Sequence, residues 1–309
     1  MDWVRIGAGE LRLVLAPFAG GSIASFTRHW QDAGRPRELH WLRPASPEAF
    51  ATSDPLGMAS FPLVPFCNRI RNGRASFAGR EIRFPPNHPA ADSPHPLHGI
   101  GWLRPWRVEQ ASATQATLGL DVAASDAWPW HFIAAQRFTL TPSRLEVVIS
   151  MTNLDEAPMP CGIGHHPYFP HETGTRITTR THAMWHADAE VMPTTLGNSE
   201  AVQQLAQGTE VARLDLDNNF TGWQRDALIE WPADRHGPKR SLHLRADAPL
   251  EYFVLYSPAG FDHFCAEPVS QCTDWLNLLE RFGRDALGGT VLQPGERLDA
   301  RFTLEPQWT

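Results

Sequence analysis

Apolar residues alternate with polar ones in short runs along most of the chain. Glu10-Leu11-Arg12-Leu13-Val14-Leu15 follows Gly7-Ala8-Gly9, while Ala75-Ser76-Phe77 and Ile82-Arg83-Phe84 stand either side of Ala78-Gly79. A period of two sends successive side chains to opposite faces, so these runs read as strands, and the glycine-bearing gaps read as hairpin turns. A third hairpin is predicted over 132–140 and 145–150, where Thr141-Pro142-Ser143-Arg144 supplies a proline that presets φ for the bend. Further strands are predicted at 176–180, 210–216, 227–231, 241–246, 251–257 and 297–304, near the spacing of about 8–12 residues expected of sandwiches. Only 274–282 shows helical spacing, over barely two turns.

Composition supports that picture. The 27 prolines and 23 glycines are scattered throughout and cut the chain into pieces suited to strands rather than long helices. With 309 residues, 42% hydrophobic and 20% charged, the chain can bury a sizeable core. A single domain over 1–309 is expected, since all-β units often reach this size. The net charge of -7 would repel phosphate backbones and anionic lipid, which disfavours nucleic acid and a membrane surface as partners. There is no apolar run of about 18 residues, and Met1-Asp2-Trp3-Val4-Arg5 lacks the basic start of a signal peptide, so a cytoplasmic location is expected. Cys67, Cys161, Cys265 and Cys272 lack the paired spacing of a structural zinc site and read as small buried side chains. Walker-type, dinucleotide-binding, GxSxG and HExxH patterns are absent, and so is strand-helix alternation.

Chemistry must then come from polar clusters at strand ends and loops. Five stand out: Asn68-Arg69-Ile70, Leu97-His98-Gly99, His165-His166-Pro167-Tyr168-Phe169, Asp217-Asn218-Asn219-Phe220 and Ala266-Glu267-Pro268. Each has a plainer reading. His166 could be a core imidazole, Arg69 a structural ion-pair partner, and Asp217 a member of a turn rich in Asx bonds.

Taken in this order and spacing, the clusters resemble the aldose 1-epimerase (galactose mutarotase) family from about Phe61 to Leu304. Asn68-Arg69-Ile70 leads through Gly73 to a short hairpin, Leu97-His98-Gly99 is followed by Trp102 and Trp106, and Leu292-Gln293-Pro294-Gly295-Glu296 matches the final turn. His166-Pro167-Tyr168-Phe169 supplies the His-x-Tyr-Phe motif, which puts His166 rather than His165 in the catalytic position. Departures occur where Ile100, Pro170-His171 and Val269-Ser270 replace usual family residues, so the reaction type is better supported than the sugar.

The resemblance implies a large twisted β-sandwich and an isomerase that interconverts the α and β anomers of a free hexose or hexose derivative. It also implies a small-molecule sugar as partner, with no cofactor and no metal. Catalysis falls to Glu267, His166 and His98, and substrate binding to Arg69, Asp217 and Asn68. The chemistry fits these side chains: ring opening needs a base for the C1 hydroxyl proton and an acid for the ring oxygen, which a carboxylate and an imidazole can supply. Arg69 and Asp217 would clamp hydroxyls as donor fork and acceptor. Support or surface roles are expected for His95, His165, His171 and His263, and core packing for most of the twelve tryptophans. Two alternatives stand. One is a mutarotase for an anionic hexose, a 6-phosphate or a 6-sulfonate such as sulfoquinovose, whose C6 end would need a basic side chain; Arg71, Arg74 and Arg104 are candidates. The other is a non-catalytic carbohydrate-binding or sensor protein.

Overall fold

Two large antiparallel sheets and a smaller one make up most of the computed structural model, which describes residues 3–88, 93–233 and 238–308. The three expected hairpins form. Leu11–Ala16 pairs with Val4–Ala8, and Phe132–Leu140 pairs with Leu145–Asn153 in unbroken register. Arg74–Phe77 pairs with Arg80–Arg83 across Ala78 and Gly79, whose φ values of 48° and 78° give the left-handed backbone that a tight two-residue turn requires.

The strands predicted in the second half become Arg176–Thr179, Asp226–Trp231, Arg240–Ala246, Tyr252–Tyr256 and Arg297–Trp308. Four of these belong to a nine-stranded sheet that continues through Leu145–Asn153, Phe132–Leu140, Gln115–Val122 and Arg107–Ala111. The fifth, Tyr252–Tyr256, lies in an eight-stranded sheet between Asp217–Thr221 and His263–Val269. One apolar cluster draws on both sheets, including Phe138, Val147, Leu242 and Phe302 from the first and Phe253, Leu255 and Phe264 from the second. The fold is therefore an all-β sandwich. Eleven of the twelve tryptophan rings contribute to this cluster or pack against it, and none lines the cavity described below.

The stretch 210–216 departs from expectation. Only Thr209–Glu210 is strand, at the edge of the nine-stranded sheet, and a 3₁₀ turn at Val211–Arg213 follows before Asp217–Thr221 begins in the other sheet. The chain crosses between sheets here, so it cannot stay in one ladder. The apolar positions that suggested a strand, Val211 and Leu214, are buried in the shared core. The predicted helix forms as Trp275–Phe282, but the helices Pro47–Thr52, Glu200–Gln207 and Arg284–Leu287 and the strands Ser22–Asp32 and Arg35–His40 were not anticipated. The first of these helices carries a legible start signal: the Ser46 hydroxyl accepts from the Ala49 N–H at 3.0 Å, and a proline opens the first turn. Among the described residues no helix is long and apolar enough to cross a membrane.

Candidate active site

Alternation decides which of the two adjacent histidines can meet a substrate. His165 is fully buried and points between the sheets. Its Nδ1 bonds to the Ser60 hydroxyl, its Nε2 lies 3.1 Å from Gln136 Oε1, and its ring sits 5.2 Å from Phe302. His166 turns the other way, into a cavity of about 420 Å³. There its ring stacks on Phe61 at 4.6 Å and 22° and approaches Tyr168 at 4.7 Å.

The neighbouring strand supplies the carboxylate by the same rule. Along His263–Val269, Phe264 and Ala266 enter the core, whereas His263 and Glu267 line the cavity. A register slip of one residue would exchange these two sets. Glu267 Oε1 lies 3.3 Å from His166 Nε2. Glu267 Oε2 and His166 Nδ1 are buried with no hydrogen-bond partner among the described residues. Buried polar atoms normally find partners, so these two orphans mark where a ligand's hydroxyls could bond.

Asn68 and His98 hold each other across the cavity wall. The His98 N–H donates to the Asn68 carbonyl at 2.9 Å, and the Asn68 N–H donates to His98 Nδ1 at 3.1 Å. Both residues have left-handed backbone, φ 57° and 59°, and Gly99 follows at φ 71°. A Cβ on Gly99 would meet the Val64 carbonyl oxygen at 2.3 Å, so only glycine fits at that position. The hydrogen bond has a chemical consequence: with Nδ1 accepting, the neutral His98 ring carries its proton on Nε2 and is a fixed donor.

Arg69 completes the constellation. Its Nη1 donates to Asn68 Oδ1 at 3.1 Å and its Nη2 to Asp217 Oδ2 at 3.4 Å, which leaves the rest of the fork for a ligand. The ion pair and the pocket role anticipated as alternatives thus coexist. Asn219, in the same motif as Asp217, is instead structural and accepts from the Thr273 N–H and hydroxyl.

Burial governs the charges. It pushes the Glu267 carboxyl well above the usual carboxylate range, with the Asp217 charge adding to the shift and Arg69 opposing it. Asp217 is raised for the same reason despite its guanidinium partner. Burial takes His166 down to about 3 and His98 well below its ordinary value, so both imidazoles are neutral at neutral pH. The fold thus gathers all six residues expected at the site, Glu267, His166, His98, Arg69, Asp217 and Asn68, around one cavity.

Several wall residues were not anticipated. Arg43, Leu56, His88, Tyr256 and Phe261 also line the cavity, and His263, expected to have only a support or surface role, is part of the wall. Counting by twos from Glu267 reaches His263, and the pairing of Tyr256 with both Cys265 and Asp217 puts it on the same face. His263 was legible from that count, whereas Tyr256 needed the strand pairing. Arg43 was not legible, since no motif surrounds it. His95 and His171 do have supporting roles: His95 Nδ1 accepts from the Asn72 N–H at 2.9 Å, and His171 Nδ1 lies 3.1 Å from the Phe261 carbonyl. None of Arg71, Arg74 and Arg104 reaches the cavity; Arg71 lies 3.7 Å from Asp188 and 3.6 Å from Asp274 instead. The four cysteines are free and buried.

One group among the described residues has metal-ligand potential, with donor atoms of His166, Cys265 and Glu267 within 4.8 Å of one another. Burial raises the Cys265 thiol well above its ordinary pKa, so a metal ion bound there would have to displace that proton.

Known proteins resemble this chain in sequence and in fold. The family model described as aldose 1-epimerase matches residues 3–305. YphB of Escherichia coli K12, an uncharacterized protein, is 31% identical over 319 residues, covering all of both chains. A crystal structure from Escherichia coli K12 superposes with a TM-score of 0.84 at 27% identity, over 100% of this chain and 99% of that one. A galactose mutarotase-like protein from Clostridium acetobutylicum shares the fold, with a TM-score of 0.78 at 19% identity over 99% and 95% of the two chains.

Proposed function

Because the chain belongs to the aldose 1-epimerase family, we propose that it interconverts the α and β anomers of a hexose by acid–base ring opening at the Glu267–His166 pair. Glu267 takes the proton from the C1 hydroxyl, and a proton from His166 reaches the ring oxygen as the bond from C1 to that oxygen breaks. The resulting aldehyde turns about its bond to C2 and recloses from its other face, which returns both protons. The resting His166 ring is neutral, so the proton it delivers is the one it shares with Glu267 across their 3.3 Å contact; once that proton is on His166, the raised carboxylate is a stronger base and the lowered imidazolium a stronger acid. His98 holds the ring oxygen through its fixed Nε2–H, while Arg69 and Asp217 hold hydroxyls.

The single observation that carries this reading is the 3.3 Å contact between Glu267 and His166 in a cavity large enough for one sugar. A sugar sensor without catalysis needs no such pair, and a separation beyond about 10 Å, too long for two groups serving one ring, would have favoured it. The test is anomer exchange, followed by NMR or optical rotation, over neutral, 6-phosphorylated and 6-sulfonated hexoses. At least one of them should equilibrate faster with the protein, with and without chelator. Equal rates with and without protein across the whole panel would rule out the mutarotase reading.

Two further results are expected. Arg69 contacts ground and transition states alike, so Arg69→Ala should raise KM more than it lowers kcat. Unchanged affinity in a destabilised protein would make it a purely structural ion-pair partner.

The second concerns pH. If His166 is the acid, the productive form carries one proton on the coupled pair, so kcat/KM should be bell-shaped. Its alkaline limb reports loss of that last proton, above the usual carboxylate range because burial and Asp217 retain it. Asp217→Asn removes a neighbouring negative charge, so the limb should move to lower pH. A profile that only rises with pH would transfer the acid role to the Nε2–H of His98.

A further inference from the structure

Arg43 lines the cavity, yet its charge has no carboxylate within 4 Å among the described residues. Every other charged group in the wall has an opposite or hydrogen-bonding partner there: Arg69 pairs with Asp217, and Glu267 meets His166. Asp262 is close enough for Arg43 to lower its pKa, but its carboxylate is exposed and lies 2.8 Å from His263 Nδ1. The Arg43 guanidinium carbon sits over the Tyr168 ring, 3.8 Å from its centroid. Its Nη2 donates to the Leu56 and Met58 carbonyls at 2.6 and 2.8 Å, which fixes the fork in place. Among the described residues Nη1 has only the His263 ring nitrogens at 3.4 and 3.5 Å, and no oxygen accepts from Nε. Burying even half of an unpaired cation is unfavourable unless an anion joins it. Its field reaches the reaction centre, where Arg43 contributes to the lowering of His166.

The position of this cation selects a place on the sugar. Arg43 Cζ lies 3.8 Å from the Tyr168 ring centroid, which is 4.7 Å from that of His166, so the guanidinium is at most about 8.5 Å from the group that protonates the ring oxygen, a span that a ring oxygen and an anionic group two carbons away can bridge with a hydrogen bond at each end. In a hexopyranose the exocyclic carbon C6 is only two bonds from that oxygen, whereas the substituents on C3 and C4 project from the opposite side of the ring. C1 and C2 lie on the other side of that oxygen, where Glu267 takes the C1 hydroxyl proton, so an oxyanion on C6 is the one that reaches Arg43 when the ring oxygen faces His166. Resting on the mutarotase reading above, we propose that Arg43, with His263 beside it, forms an anion subsite and that the substrate is a hexose carrying an anionic oxygen group on C6.

The experiment compares glucose with glucose 6-phosphate, 6-sulfonated glucose and glucuronate, by anomer exchange and by calorimetric binding. The anionic sugars should exceed glucose in kcat/KM by about ten- to a hundredfold, the worth of a charge-assisted contact. The preference should shrink at high salt. In Arg43→Met the anion-to-neutral ratio should fall to near one whatever happens to the absolute rates, and Arg43→Lys should keep part of it. The best anionic sugar identifies the source: phosphate if two charges are accommodated, sulfonate or carboxylate if one is. Two results overturn the subsite. In one, wild-type protein exchanges glucose as well as any anionic sugar, which leaves the mutarotase reading intact. In the other, Arg43→Met lowers all sugars alike, which makes Arg43 only the brace of Leu56 and Met58. If no sugar exchanges, the mutarotase reading fails by itself and calorimetry decides the subsite, with anionic sugars binding no tighter than glucose overturning it.

Discussion

Glu267→Gln is expected to lower kcat for anomer exchange by about 10²–10⁴, the usual worth of a positioned acid or base. The residue is only 2% exposed, and one of its carboxylate oxygens has no partner among the described residues. A buried carboxylate is held at a free-energy cost, so a neutral amide of the same shape should not destabilise the fold. It keeps the hydrogen-bonding outline and loses only the ability to take a proton. Sugar binding, measured by calorimetry, should therefore survive while exchange is lost. The alkaline limb of the pH profile should disappear from the residual rate, because the group that retains the last proton is gone. Normal exchange in this variant would show that the family's base has been placed on the wrong residue.

The parts of the site legible in the sequence are those whose requirements are local. Gly99 must be glycine because of its backbone and a carbonyl 2.3 Å from any Cβ, and Asn68 and His98 sit in left-handed conformations that bring Arg69 and the imidazole to the wall. Such demands leave short motifs. The period of two then separates His165 from His166 and places Glu267, but it needs the strand register, known only once Val254 is seen opposite Glu267. Arg43 left no trace because everything that defines it is distant in sequence: Leu56 and Met58, Tyr168, and His263 on another strand. The same holds for 210–216, where local alternation suggested a strand and the crossing between sheets forbade one. Helix Glu200–Gln207 follows Ser199, yet no side-chain cap bond forms there, so its start was weakly marked.

His166→Asn should also cost about 10²–10⁴ in kcat, and the double variant with Glu267→Gln identifies the reason. If the two side chains move protons on one ring in one concerted step, removing either disables that step, and removing both should cost little more than the worse single change. Independent roles predict the product of the two losses instead, a difference of at least about 10² between outcomes. Stability needs separate measurement, because the His166 ring stacks on Phe61 and contacts Tyr168, and its loss opens space in the wall. His165→Asn is the informative companion. That ring bridges Ser60 and Gln136 in the core and does not line the cavity, so the change should lower the melting temperature yet leave exchange within several-fold in the protein that stays folded. An exchange rate damaged more by His165→Asn than by His166→Asn, at equal folded fraction, would reverse the assignment that alternation makes along this strand.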